Sequence, residues 1–102
     1  MKLFIVACLK EYQQDVTKIF KEANIHVFSA IDVIGFKDNP SPNLLGEWFA
    51  AGDENFDSMM LLSFTSNENA ALGIDLINIY NEQSNTNFPV RGFIVPVEKS
   101  SY

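Results

Sequence analysis

The sequence predicts an α+β domain, with four antiparallel strands backed by two helices, on three observations. Four short runs rich in Val, Ile, Leu and Phe are spread along the chain. Between the first and second run, and again between the third and fourth, the apolar period changes to the 3.6-residue repeat of a helix. The two strand–helix–strand halves are separated by a stretch with no period at all, residues 37–57.

Leu3 to Leu9 is an unbroken apolar run of strand length. From Glu11 to Ala23, Tyr12, Val16, Ile19, Phe20 and Ala23 fall on one stripe and Gln13, Gln14, Asp15, Lys18, Lys21 and Glu22 opposite it, which predicts an amphipathic helix. Asn24 suits its end, because Asn tolerates the left-handed conformation that closes many helices. A second strand is expected from Ile25 to Phe36, with Gly35 hinting at a bulge or a close backbone approach. Ser58 to Phe64 reads as the third strand. Ser66 or Asn67 is a plausible N-cap, with Glu68 in the first turn, for a helix over 68–80 that puts Ala70, Ala71, Ile74, Ile77 and Tyr80 on one face. Asn81 to Asn87 is polar and Asn-rich, hence a loop. Gly92 to Val97 is the fourth strand, and Pro96, lacking an N–H, suits a sheet edge or strand end. This order is the ferredoxin-like βαββαβ arrangement: a four-stranded antiparallel sheet, two helices on one face, and a long loop between strands 2 and 3.

The 102 residues make one domain, and the 47% hydrophobic content is too high for a disordered chain. Thirteen acidic and seven basic side chains give a formal charge of −6, which argues against nucleic acid as partner, since phosphate binding needs clustered Lys and Arg. The single cysteine, Cys8, excludes an internal disulfide framework and a cysteine-rich zinc module. MKLFIVACL looks briefly like a signal peptide, but Lys10, Glu11, Tyr12, Gln13 and Gln14 follow it with no small-residue cleavage site. No apolar run approaches the ~20 residues that span a bilayer. A cytoplasmic protein without membrane insertion is expected.

In a two-layer fold the sheet face away from the helices meets water, and its strands should alternate apolar and polar. These strands do not: Leu3 to Leu9, Met59 to Leu62 and Phe93 to Val95 are apolar on both faces. The expectation is an oligomer that covers the second face, the long loop folding back being the other option. That loop, 37–57, is itself unusual in a domain of this size. It holds Leu44, Leu45, Trp48, Phe49 and Phe56 among Asp38, Glu47, Asp53, Glu54 and Asp57. Trp and Phe on an acidic loop resemble a partner-docking hot spot, and they also suit packing onto a neighbouring subunit.

Other chemistry is sparse. His26, the single histidine, is a weak candidate for a metal ligand or general base, and no carboxylate spacing completes a site around it. Cys8 and the pair Met59 and Met60 read as core, and Asp53 with Glu54 as a solvated face. No nucleophile-with-base pattern and no phosphate loop is present.

The strand end Asp32-Val33-Ile34-Gly35-Phe36 before a long loop, the opening strand Lys2 to Lys10, the helix ending in Asn24-Ile25 and the closing Gly92-Phe93-Ile94-Val95-Pro96-Val97-Glu98 together resemble the PII nitrogen-regulatory proteins and their PII-like relatives. The resemblance spans nearly the whole chain. It implies a homotrimer without catalytic activity, an inter-subunit cleft for a small effector, and a "T-loop" that engages a membrane transporter or enzyme. It places Ser29, Gly35, Phe36, Phe64 and Thr65 at cleft or loop-base positions, with Lys37 a looser match and Arg91 a possible anion contact.

The departures matter. The family's Thr-Gly-x-x-Gly-Asp-Gly-Lys phosphate loop is replaced by Ser84-Asn85-Thr86-Asn87-Phe88-Pro89-Val90-Arg91-Gly92. Pro89 removes an N–H donor and only Gly92 remains of the glycines that let backbone amides converge on phosphate. The C-terminal Arg-x-Arg has no counterpart, nor do the loop Tyr that some members uridylylate and the Gln that helps bind Mg and 2-oxoglutarate. These changes argue against ordinary ATP and 2-oxoglutarate sensing, the missing Gly-rich loop argues against nucleotide binding altogether, and no cofactor is certain. A metal-tolerance trimer of the CutA-like type, or one linked to heavy-metal efflux, and a cofactor-independent ferredoxin-like monooxygenase are the alternatives.

Overall fold

The computed structural model describes residues 1–36 and 55–101, with side chains of the second stretch from residue 57. Strand β1 is Lys2–Leu9, followed by a single 3-10 turn, Lys10–Tyr12, and helix α1, Gln13–Glu22. Strands β2 and β3 are Ser29–Phe36 and Asn55–Thr65. Helix α2 is Asn67–Ser84 and strand β4 is Arg91–Pro96. The four strands form one antiparallel sheet in the order β2-β3-β1-β4, so the βαββαβ arrangement expected from the sequence is the one observed.

The core lies between helices and sheet. Phe4, Val6 and Cys8 of β1 and Met59 and Leu61 of β3 meet Val16, Ile19 and Phe20 of α1 and Ala70 and Ile77 of α2. Phe20 is its hub, with ring centroids 5.3 Å from Phe4 and 4.9 Å from Phe28. Such aromatic pairs add to the hydrophobic gain of burial itself.

Element ends differ from the sequence expectation for local reasons. Residues 25–28 are not strand. Asn24 adopts φ 63°, its N–H donates to Lys21 O, and Ile25 N–H donates to Phe20 O. That pairing closes α1 as a Schellman motif. It turns Ile25 into the core, where it is 2% exposed. Strand β3 begins earlier than expected, because Gly35 and Phe36 pair with Phe56 and Asn55, so Phe56 and Asp57 belong to a strand rather than to the loop. Gly35 keeps regular register, with no bulge. Helix α2 is capped by the Ser66 hydroxyl, which accepts from Asn69 N–H. It runs one turn past Tyr80 to Asn85, whose φ of 48° ends it. Ala71 is exposed, and Gly73 takes the buried position instead.

Gly73 and Gly92 set the helix–sheet spacing. A Cβ at Gly73 would stand 2.6 Å from Phe4 Cζ, and one at Gly92 2.8 Å from Ile77 Cδ1. Alanine favours a helix by about 1 kcal/mol over glycine. Here the fully buried Phe4 ring, held by Phe20, has nowhere to move. Overpacking of that kind costs roughly 1–3 kcal/mol. Gly73→Ala is therefore expected to lower the melting temperature despite its better propensity, and calorimetric melting checks it.

Candidate functional site

The strand registers sort the sheet residues into two faces. On the face away from the helices, Val95, Leu3 and Phe64 form one cross-strand row. Phe93, Ile5, Leu62 and Ser29 form the next, then Arg91, Ala7, Met60 and Ile31, then Leu9, Ser58 and Val33. Side chains opposite one another on a face lie about 5 Å apart. Ten of these residues are apolar aliphatic or aromatic groups larger than Ala, and Phe64 is 65% and Ile31 47% exposed. The unalternating strands thus leave a broad apolar surface that this subunit does not cover with its described residues.

Arg91 is the one charged side chain in those rows, and it stands on β4, a sheet edge. Its Nε is buried with no hydrogen-bond partner among the described residues. A guanidinium carries five N–H donors and suits oxyanions.

The loop between α2 and Arg91 is locked by side chains. The Asn81 amide donates to Val90 O at 2.8 Å and accepts from Val90 N–H at 2.9 Å, taking both backbone groups of a residue 1% exposed. Thr86 Oγ1 accepts from Phe88 N–H at 3.1 Å and lies 2.8 Å from the Tyr12 hydroxyl. With Phe88 and Val90 N–H engaged and Pro89 without one, this segment has few donors left to cradle a phosphate. Gly92, the remnant glycine, is not a loop residue at all: it lies in β4 opposite Val6, beneath Ile74 and Ile77. Asn81, Thr86 and Tyr12 were not legible as partners, because a polar Asn-rich stretch carries no period.

The candidate residues do not form one cleft within a subunit. Ser29 lies opposite Leu62, so Ser29, Phe64 and Thr65 share one end of the sheet. Gly35 and Phe36 lie six and seven residues further along β2, roughly 20 Å away at strand rise. Phe36 is exposed there and Gly35 buried. Lys37, Leu44, Leu45, Trp48 and Phe49 lie outside the described residues, as does the side chain of Phe56. His26 is exposed in the segment before β2, and among the described residues no three His, Cys, Asp or Glu side chains group as a metal site. Likewise no helix among them is long and apolar enough to cross a membrane.

Two ionisable groups are displaced upward. Burial pushes the Cys8 thiol to about 11. Partial burial, then the hydrogen bond and charge of Asp15, push the Tyr80 phenol to about 12; its hydroxyl donates to Asp15 Oδ2 at 2.8 Å. Both acids ionise more readily in the unfolded chain, at their ordinary values of 9.0 and 10.0. Stability should therefore be full below pH 9 and fall as pH rises toward 12, because the unfolded state loses protons first. Urea unfolding at stepped alkaline pH checks this, and Tyr80→Phe should flatten the upper part of the fall.

The fold is that of the PII-like signalling proteins. Two solved structures carry the comparison. CPII from Thiomonas intermedia K12, solved bound to ADP, AMP and acetate, superposes with a TM-score of 0.65 at 11% identity over 92% of this chain and 82% of that one. A PII-like signalling protein from Thermus thermophilus gives 0.60 at 12% identity, over 91% and 82%. By sequence, the chain matches no family model and no curated protein.

Proposed function

We propose that this protein is a divergent PII-like regulator: a cytoplasmic homotrimer without catalytic activity that senses a small anionic effector between subunits and acts on a transporter or enzyme through residues 37–54. The apolar sheet face carries this reading. A surface of that extent marks an interaction site, and a second copy laid against it would bring the Arg91 edge of one subunit to residues at the other end of its neighbour's sheet. The separation of Ser29, Phe64 and Thr65 from Gly35 and Phe36 fits a cleft completed between subunits. Arg91 is the anion contact in that cleft. CPII was solved with ADP and AMP; here the side-chain-locked loop before β4 disfavours a triphosphate, so adenosine mono- and diphosphate are the expected class. Trp48, Phe49, Leu44 and Leu45 supply the apolar docking groups of the loop.

Calorimetric titration tests the effector. AMP or ADP should bind, ATP should bind no tighter than AMP, and Arg91→Gln should weaken binding at least about tenfold, the loss of one charge-assisted contact. Absence of heat with all three nucleotides, or equal affinity in Arg91→Gln, would reject the assignment.

A further inference from the structure

Helix α2 carries more apolar surface than the core uses. Ala70, Gly73 and Ile77 face the sheet. On another side, Leu72, Leu76 and Ile79 follow one another at spacings of four and three, the seam of a helix that packs against a second helix. Ile79 is 49% and Leu72 38% exposed. Leu76 and Ile79, with Ile19 of α1, line a groove of about 300 Å3 between the two helices.

Charge singles out the occupant. Helix α2 contains no Lys or Arg, and its acids Glu68, Asp75 and Glu82 repeat every seven residues. In the heptad that places Leu72, Leu76 and Ile79 on the seam, all three fall in the flanking position whose charges select a partner helix. Across the groove α1 contributes Asp15 and Glu22 against one cation, Lys18. The groove's own lining thus holds two carboxylates and one ammonium, and the heptad adds the three acids of α2 along the flank of its seam. The chain's own segment 37–54, with Asp38, Glu47, Asp53 and Glu54 against Lys37, has the wrong sign to enter.

We infer that this groove is a docking site for an amphipathic helix of a protein partner, with an apolar seam and Lys or Arg flanks. It lies on the helical layer, opposite the apolar sheet face, so it stays open when that face is covered. Helix-in-groove recognition of this kind reads anchors at helical spacing, and the carboxylate rim selects basic flanks by complementarity.

The test uses two synthetic helical peptides about three heptads long. Both carry Leu on the seam; one has Lys flanks and the other Glu. Titrated into the full chain, the Lys-flanked peptide should shift backbone amide resonances of α1 and α2, and the Glu-flanked peptide should not. Ile79→Gln, an exposed position that the fold tolerates, should weaken binding at least about tenfold. Asp75→Lys combined with Glu82→Lys should reverse the preference between peptides. Equal binding of both peptides, shifts confined to the sheet face, or undiminished binding to Ile79→Gln would overturn the proposal. A lower molar mass for Ile79→Gln in sedimentation would also overturn it, by making the groove a contact between copies.

Discussion

Under the proposed trimeric assembly, Leu62→Asp is expected to give folded monomers. Leu62 stands on β3, one of the two central strands, in the row Phe93, Ile5, Leu62 and Ser29. Within a lone subunit it is half-buried on the open face, so a carboxylate there keeps access to water and disturbs only strand preference, worth about 1 kcal/mol at most. Under a neighbouring sheet the same carboxylate loses its hydration, at an effective penalty of several kcal/mol per ion. In a closed trimer that penalty recurs at every subunit. The two environments pull apart cleanly: circular dichroism should stay native while sedimentation shows a third of the assembled mass. A wild-type protein that sediments as a monomer at micromolar concentration would remove the basis of the trimeric reading. A Leu62→Asp variant that keeps the assembled mass would place the interface elsewhere.

That apolar face was legible in the sequence because a strand apolar on both sides writes itself as an unbroken run, as in Leu3 to Leu9 and Met59 to Leu62, where an open face predicts alternation. The helices were legible for the complementary reason, a stripe that repeats at 3.6 residues. What failed were the places where a single polar contact decides the backbone. Ile25 to Phe28 has the β-rich composition of a strand, but the Schellman closure at Asn24 commits Ile25 to the core instead. Asn81 to Ser84 looked like a loop and is helix, because Asn81 finds its partners in Val90, nine residues away, and no local pattern announces that. Arg91 was visible as a residue but not as the lone charge of a face, since that needs the pairing with Ala7. The groove on α2 was masked in a similar way: reading Ala71 into the core stripe left no reason to ask what Leu72, Leu76 and Ile79 face.

Asn81→Leu is expected to be among the most damaging single changes, although Asn81 belongs to no apolar cluster. Its amide closes a two-bond ring with Val90, the residue just before β4, and gives both of its backbone groups a partner. Leucine is nearly isosteric, so packing changes little, and the loss is that of two buried backbone groups left without partners. At about 1–3 kcal/mol for each buried group stripped of its bond, the total is roughly 2–4 kcal/mol, allowing for partial relaxation of the loop. For a domain of this size each kcal/mol lowers the melting temperature by about 4–8 °C, so a drop of roughly 10–25 °C is expected. Asn81→Asp separates the two bonds: a carboxylate still accepts from Val90 N–H but offers nothing to Val90 O and repels it, so it should recover only part of the loss. The functional consequence follows from position. Val90 fixes where β4 begins, and Arg91 is the next residue, set opposite Ala7 on the apolar face. Asn81→Leu should therefore weaken nucleotide binding by more than its folded fraction explains when calorimetry is run well below its melting temperature, whereas Gly73→Ala, which strains the core on the helix side of Phe4, should melt early yet bind as the wild type does.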